Sequence, residues 1–142
     1  MKTNPDDIKG DQWPSFAAEI GESDEHDHKI RLVLDYVHSK DVLDVGCVHH
    51  NPEKYKSKFW LHKAIKKHAR KLIGIDLYRS GLSFLQEKGF DVRFADACDF
   101  DLDRKFDVIT TCDIIEHLVD VGGFLESVSR LEAGRYFADF YS

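Results

Sequence analysis

Asp113, Glu116 and His117 stand at i, i+3 and i+4, so on a helix they share one face and bring two carboxylates beside an imidazole. Such a set suits several chemistries. His117, with Asp113 close by, can take a proton from a hydroxyl as general base, the three groups can ligate a divalent metal, or they can serve structural hydrogen bonding. No metal is assigned here. A second set of residues lies upstream. Gly46 removes a side chain where the backbone must turn, which leaves the following amides free to meet a carboxylate or phosphate. Asp76 offers an acceptor-only carboxylate for both hydroxyls of a ribose, with a helix N-cap as the alternative reading. Asp96 suits the exocyclic amine of an adenine, with the Ala97 amide facing the ring; the alternative is a loop or capping aspartate. His49, His50 and His62 suit contact with an acceptor or a carboxylate, and otherwise read as partly exposed loop and helix residues.

Each of these residues follows a segment able to hold it in place. Val42 to Gly46, Leu72 to Asp76, Val92 to Asp96, Phe106 to Thr111 and Arg135 to Tyr141 are short β-branched and apolar runs that read as buried strands. Helices are expected from Ser23 to Ser39, where Ile30, Val33, Leu34 and Val37 have helical spacing, from Ser57 to Arg70, and from Ser80 to Lys88 up to Gly89. A further helical stretch spans Asp113 to Leu131, with Gly122-Gly123 expected to divide it and Gly134 to end it. Alternating strands and helices imply a doubly wound, Rossmann-like α/β fold with a mainly parallel sheet of five strands. Ligands of such sheets bind beyond the carboxyl ends of the strands, where Gly46, Asp76, Asp96 and Cys112-Asp113 lie.

The chain has 142 residues, 42% hydrophobic and 32% charged, which fits one globular domain. Residues 1–22 read as an N-terminal segment that docks through Trp13, Phe16 and Ile20, and residues 23–142 as the core. No run approaches the ~20 apolar residues of a membrane helix, and the N-terminus lacks the order of a signal peptide, so a cytoplasmic protein is expected. Cys47, Cys98 and Cys112 have no CxxC spacing and read as reduced and mostly buried thiols. The formal charge of −6 disfavours nucleic acid as the partner. The basic stretch formed by Lys54, Lys56, Lys58, Lys63, Lys66, Lys67, Arg70 and Lys71 reads as a solvated helix face.

Taken in order, Val42-Leu43-Asp44-Val45-Gly46-Cys47, Gly74-Ile75-Asp76, Ala95-Asp96-Ala97, and Phe106-Asp107-Val108-Ile109 followed by Ile115-Glu116-His117-Leu118 resemble the motifs of class I S-adenosylmethionine-dependent methyltransferases. The resemblance covers roughly residues 30 to 141. It implies S-adenosylmethionine as cofactor, lying over Gly46 and Cys47, with Asp76 and Leu77 on its ribose side and Asp96 and Ala97 near adenine. Cys112 and Asp113 would run along its methyl face, and Asp44 would support the loop and the methionine amine. The pattern is similar to that of small enzymes acting on sugars, lipid-linked glycans or quinone precursors, so a small-molecule or glycan acceptor methylated at oxygen is expected.

Two departures from the family pattern stand out. The usual Gly-x-Gly-x-Gly is reduced to Gly46-Cys47-Val48-His49-His50, with a longer connection to Asp76. The family's last two strands have no counterpart, which would leave Tyr136, Phe137, Phe140 and Tyr141 on an open edge suited to a homodimer or a partner chain. A non-catalytic, partner-dependent subunit is therefore the alternative reading. A nicotinamide-binding domain is disfavoured because G-x-G-x-x-G is absent.

Overall fold

The computed structural model describes residues 22–49, 55–56, 60–112, 114–131 and 135–139; in 22–27, at Cys112 and in 135–139 the backbone alone is described. The expected docking of Trp13, Phe16 and Ile20, the histidine at 50, Asp113, Gly134, Phe140 and Tyr141 lie outside these residues. The elements in chain order are α1 (Glu22–Val37), β1 (Asp41–Val45), α2 (Leu61–His68), β2 (Lys71–Asp76), α3 (Arg79–Glu87), β3 (Val92–Phe94), β4 (Val108–Cys112), a 3-10 turn (Ile115–His117), α4 (Val121–Arg130) and β5 (Arg135–Asp139).

Five parallel strands form one sheet in the order β3-β2-β1-β4-β5. The chain begins at the centre, winds outward through β2 and β3, then returns to the other side of β1. This reversal creates a switch point between β1 and β4 at their carboxyl ends. Strand alternation divides β1 between two cores. Leu43 and Val45 join Ile73, Ile75, Ile109, Phe100, Phe106 and Phe124 of α4 on one face. Val42 packs with Val33 and Val37 of α1, Ile65 of α2 and Val108 on the other. A third cluster, Cys47, Val48, Trp60, Leu82, Leu85 and Val92, lies under the first loop.

Several boundaries differ from the sequence expectation for identifiable reasons. β3 ends at Phe94 because Asp96 turns the chain, its Oδ1 accepting the Cys98 amide at 2.9 Å. β4 starts at Val108, since Phe106 is buried in the core ahead of it. α2 ends at His68, after which the Arg70 amide bonds to the Lys40 carbonyl at 2.9 Å and the chain turns into β2. The expected helix over 113–131 is a short 3-10 turn, a gap, and then α4. Gly122-Gly123 does not mark the gap but lies in the first turn of α4. Asp120 caps that helix by accepting from the Gly123 amide at 2.9 Å, and a Cβ on Gly123 would stand 2.5 Å from the Cys98 carbonyl oxygen. Glycine is needed there for close approach.

At the amino ends of the strands, Arg70 Nε donates to Asp41 at 2.9 Å and its Nη2 lies 3.3 Å from Asp107, whose carboxylate also accepts the Asp41 amide. This hydrogen bond from Arg70 holds the Asp41 carboxyl below its ordinary range. Lys66 of the same basic stretch donates to the Gly89 carbonyl and lies over the Phe90 ring. These two members of the stretch are thus structural surface contacts.

Candidate functional site

β1 delivers the chain to Gly46, which adopts φ +77°, a conformation that L side chains rarely take. A Cβ there would also stand 2.6 Å from Ile114 Cδ1, across the switch point. The Gly46 amide bonds back to the Ile75 carbonyl at 2.9 Å, so the turn is pinned to β2. The next residues point into the protein. Cys47 is buried beside Gly74, where an added Cβ would meet its Sγ at 2.5 Å, and Val48 packs onto Gly81 of α3. Burial, reinforced by the Asp44 and Asp76 carboxylates, pushes the Cys47 thiol far above its ordinary range, so it is a packing group and not a nucleophile.

Asp76 closes the loop. Its Oδ2 accepts the Val48 amide at 3.0 Å, and its Oδ1 accepts the amides of Leu77 at 2.7 Å and Tyr78 at 3.0 Å. Of the roughly four lone-pair positions of a carboxylate, one remains by this count. Asp76 therefore caps the turn that joins β2 to α3 and holds the loop after β1. Leu77 and Tyr78 are exposed next to it.

Asp96 and Ala97 lie in the loop after β3, and that loop is fastened to α4. The Phe100 amide donates to the buried Ser127 hydroxyl at 3.2 Å, and Arg130 Nη2 donates to the Phe100 carbonyl at 3.1 Å. Thus the three acidic or glycine-bearing strand ends form one rim, each held by backbone hydrogen bonds.

A profile for the methyltransferase domain matches residues 43–134. The chain belongs to the class I S-adenosylmethionine-dependent methyltransferases. Among solved structures, the chain is similar to the YcgJ protein of Bacillus subtilis, with 27% identity, a TM-score of 0.62, and coverage of 82% of this chain and 52% of that one. An S-adenosylmethionine-dependent methyltransferase from Clostridium acetobutylicum is 21% identical with a TM-score of 0.61, covering 89% and 53%. The sugar N-methyltransferase KedS8 from Streptoalloteichus is 20% identical with a TM-score of 0.62, covering 99% and 60%. The chain thus spans little more than half the length of these structures. No curated protein matches it significantly.

At the centre of the sheet, Asp44 is buried at 5% exposure and held from two sides. His62 Nδ1 lies 2.7 Å from its Oδ2, and the Thr110 hydroxyl donates to its Oδ1 at 2.8 Å. His62, expected at a partly exposed position, is 2% exposed; it is drawn in by Asp44 and packed against Trp60 and Phe90. His49 is exposed, as expected, and its carbonyl accepts from Tyr55 at 2.8 Å.

His117 and Glu116 lie on the 3-10 turn just beyond β4 instead of an α-helix, so their predicted common helical face does not form. Both are exposed, with His117 Nε2 4.0 Å from Glu116 Oε1. Among the described residues no group of three His, Cys, Asp or Glu side chains could hold a metal ion. No described helix is long and apolar enough to cross a membrane. Sequence reasoning missed Thr110 and the pairing of His62 with Asp44. The signal was weak: only sheet register places Thr110 and Gly74 on either side of Asp44.

Proposed function

We propose that residues 23–142 form a core that binds S-adenosylmethionine along the rim of Gly46, Asp76 and Asp96 and methylates a small-molecule, sugar or lipid-linked acceptor, at oxygen. The observation that carries this reading is the joining of the Gly46 turn to Asp76 through Val48, which places a side-chain-free turn beside a carboxylate with an unused lone pair. These residues suit the group by their chemistry: Gly46 supplies a turn without a side chain of its own, Asp76 can accept from a ribose hydroxyl, and Asp96 with the Ala97 amide is assigned to the adenine. Cys112, the last residue of β4, and Asp113 are assigned to the methyl side. When bound, the cofactor would supply a methyl carbon activated by its sulfonium, open to an acceptor lone pair with the neutral thioether as leaving group. The protein's work is then alignment and proton removal. His117, exposed just beyond β4, takes the acceptor proton, with Asp113 as its companion. The N-methyltransferase named among the structural neighbours favours nitrogen as the second reading for the acceptor atom.

The partner-dependent alternative draws on β5, which stands at the end of the sheet. Titration calorimetry of the folded chain with S-adenosylmethionine and S-adenosylhomocysteine, with NADH as control, tests both. Micromolar binding lost in Asp76→Ala supports the cofactor site; no binding by the folded chain removes the autonomous reading and leaves the partner-dependent one.

A further inference from the structure

The sheet register places Gly74, Asp44 and Thr110 side by side in one row on the face covered by α2. A carboxylate in that position is costly to bury unless its oxygens are met by donors. Both neighbours in the row supply the remedy. Thr110 contributes a hydroxyl to Oδ1 directly. Gly74 contributes space: a Cβ there would stand 2.8 Å from His62 Cε1, so only glycine lets the imidazole descend over β2 to reach Oδ2. An ionised carboxylate can only accept, so Nδ1 carries the hydrogen of the 2.7 Å bond. His62 is in turn fixed by Trp60 and Phe90, with ring centroids at 5.8 and 5.6 Å. By count, each oxygen of Asp44 keeps one lone pair.

We infer that His62 is a positioning residue of the ligand site: with Thr110 it locks the Asp44 carboxylate in one orientation beneath the Gly46 turn, ready for a donor or cationic group of the ligand. This rests on the proposed cofactor site and adds a residue to it. In a loop with only its first glycine, orientation comes from this side-chain chain linking α2, β1 and β4 in place of a pre-shaped glycine backbone. The lock acts through Asp44 and touches no reacting atom.

The test uses S-adenosylhomocysteine as probe, with affinity by calorimetry and the melting temperature of the unliganded protein measured in parallel. His62→Ala leaves Asp44 with one donor and weakens binding about tenfold or more. His62→Asn places an amide N–H where Nδ1 stood but loses the ring packing, so it regains most of the affinity while its melting temperature stays low. That split separates positioning from packing. Thr110→Val, compared with Thr110→Ser, repeats the contrast from the other oxygen should His62→Ala fail to fold. The inference is overturned if affinity simply follows melting temperature, with His62→Asn as weak as His62→Ala, or if His62→Ala binds like the wild type. A folded wild type that binds no S-adenosylhomocysteine overturns the cofactor reading itself and this inference with it.

Discussion

The Val48 amide donates to Asp76 Oδ2 across 3.0 Å, so the turn after β1 and the end of β2 are one hydrogen-bonded unit. Removing the carboxylate frees the half-buried Val48 donor as well as two exposed ones. Asp76→Ala is expected to lose about 1–3 kcal/mol of stability from these unmet amides, besides losing cofactor binding. Asp76→Asn retains one oxygen and falls between the two, as chemical denaturation of the three proteins would read.

The space around Gly74 is already occupied. Gly74→Ala sets its methyl 2.5 Å from Cys47 Sγ and 2.8 Å from His62 Cε1. A loss of about 1–3 kcal/mol is expected, with part of it recovered in the double variant with Cys47→Ala. Equal stability of wild type and Gly74→Ala would mean that the loop relaxes freely.

The two adjacent glycines of α4 should respond in opposite ways. At Gly122 an added Cβ meets only Asp120 Oδ1, at 3.4 Å, so Gly122→Ala gains up to about 0.5–1 kcal/mol from reduced backbone freedom in the unfolded chain. Gly123→Ala collides with the Cys98 carbonyl and destabilises. Thermal melts of the pair decide this directly.

Acid tolerance should depend on Arg70. Because the folded Asp41 carboxyl titrates below its ordinary value of 3.8, the folded state holds fewer protons there than the unfolded state. Its stabilisation is present above that value and lost as pH falls through the folded one. Arg70→Met removes the cause, and the midpoint of acid unfolding followed by circular dichroism should move to higher pH.

Thiol chemistry should distinguish Cys47 from Cys98. In a Cys112→Ser background, a maleimide reagent is expected to modify the half-buried Cys98 in the native protein and Cys47 only on unfolding, as peptide mass spectrometry would resolve.

Much of the architecture could be read from local patterning, because buried parallel strands such as Val42–Val45 and Leu72–Ile75 are nearly uninterrupted apolar runs ending in glycine or aspartate. Asp76 and Gly46 were legible for the same reason: they sit where such runs stop. The His62–Asp44 pair was not, since it depends on a glycine in β2 that opens a path for a helix residue 18 positions downstream of the carboxylate. Nor was the break before α4, where Asp120 and the Cys98 carbonyl outweigh the helical spacing of Ile114, Leu118 and Leu125.

The packing of Val48 onto Gly81 makes positions 33 residues apart sterically dependent on each other. A side chain at 81 therefore requires a smaller residue at 48 and a shift of Tyr78. Grafting Cys47 and Val48 into a relative would accordingly fail without small residues at 74 and 81, because the pairing of loop and socket is what transfers.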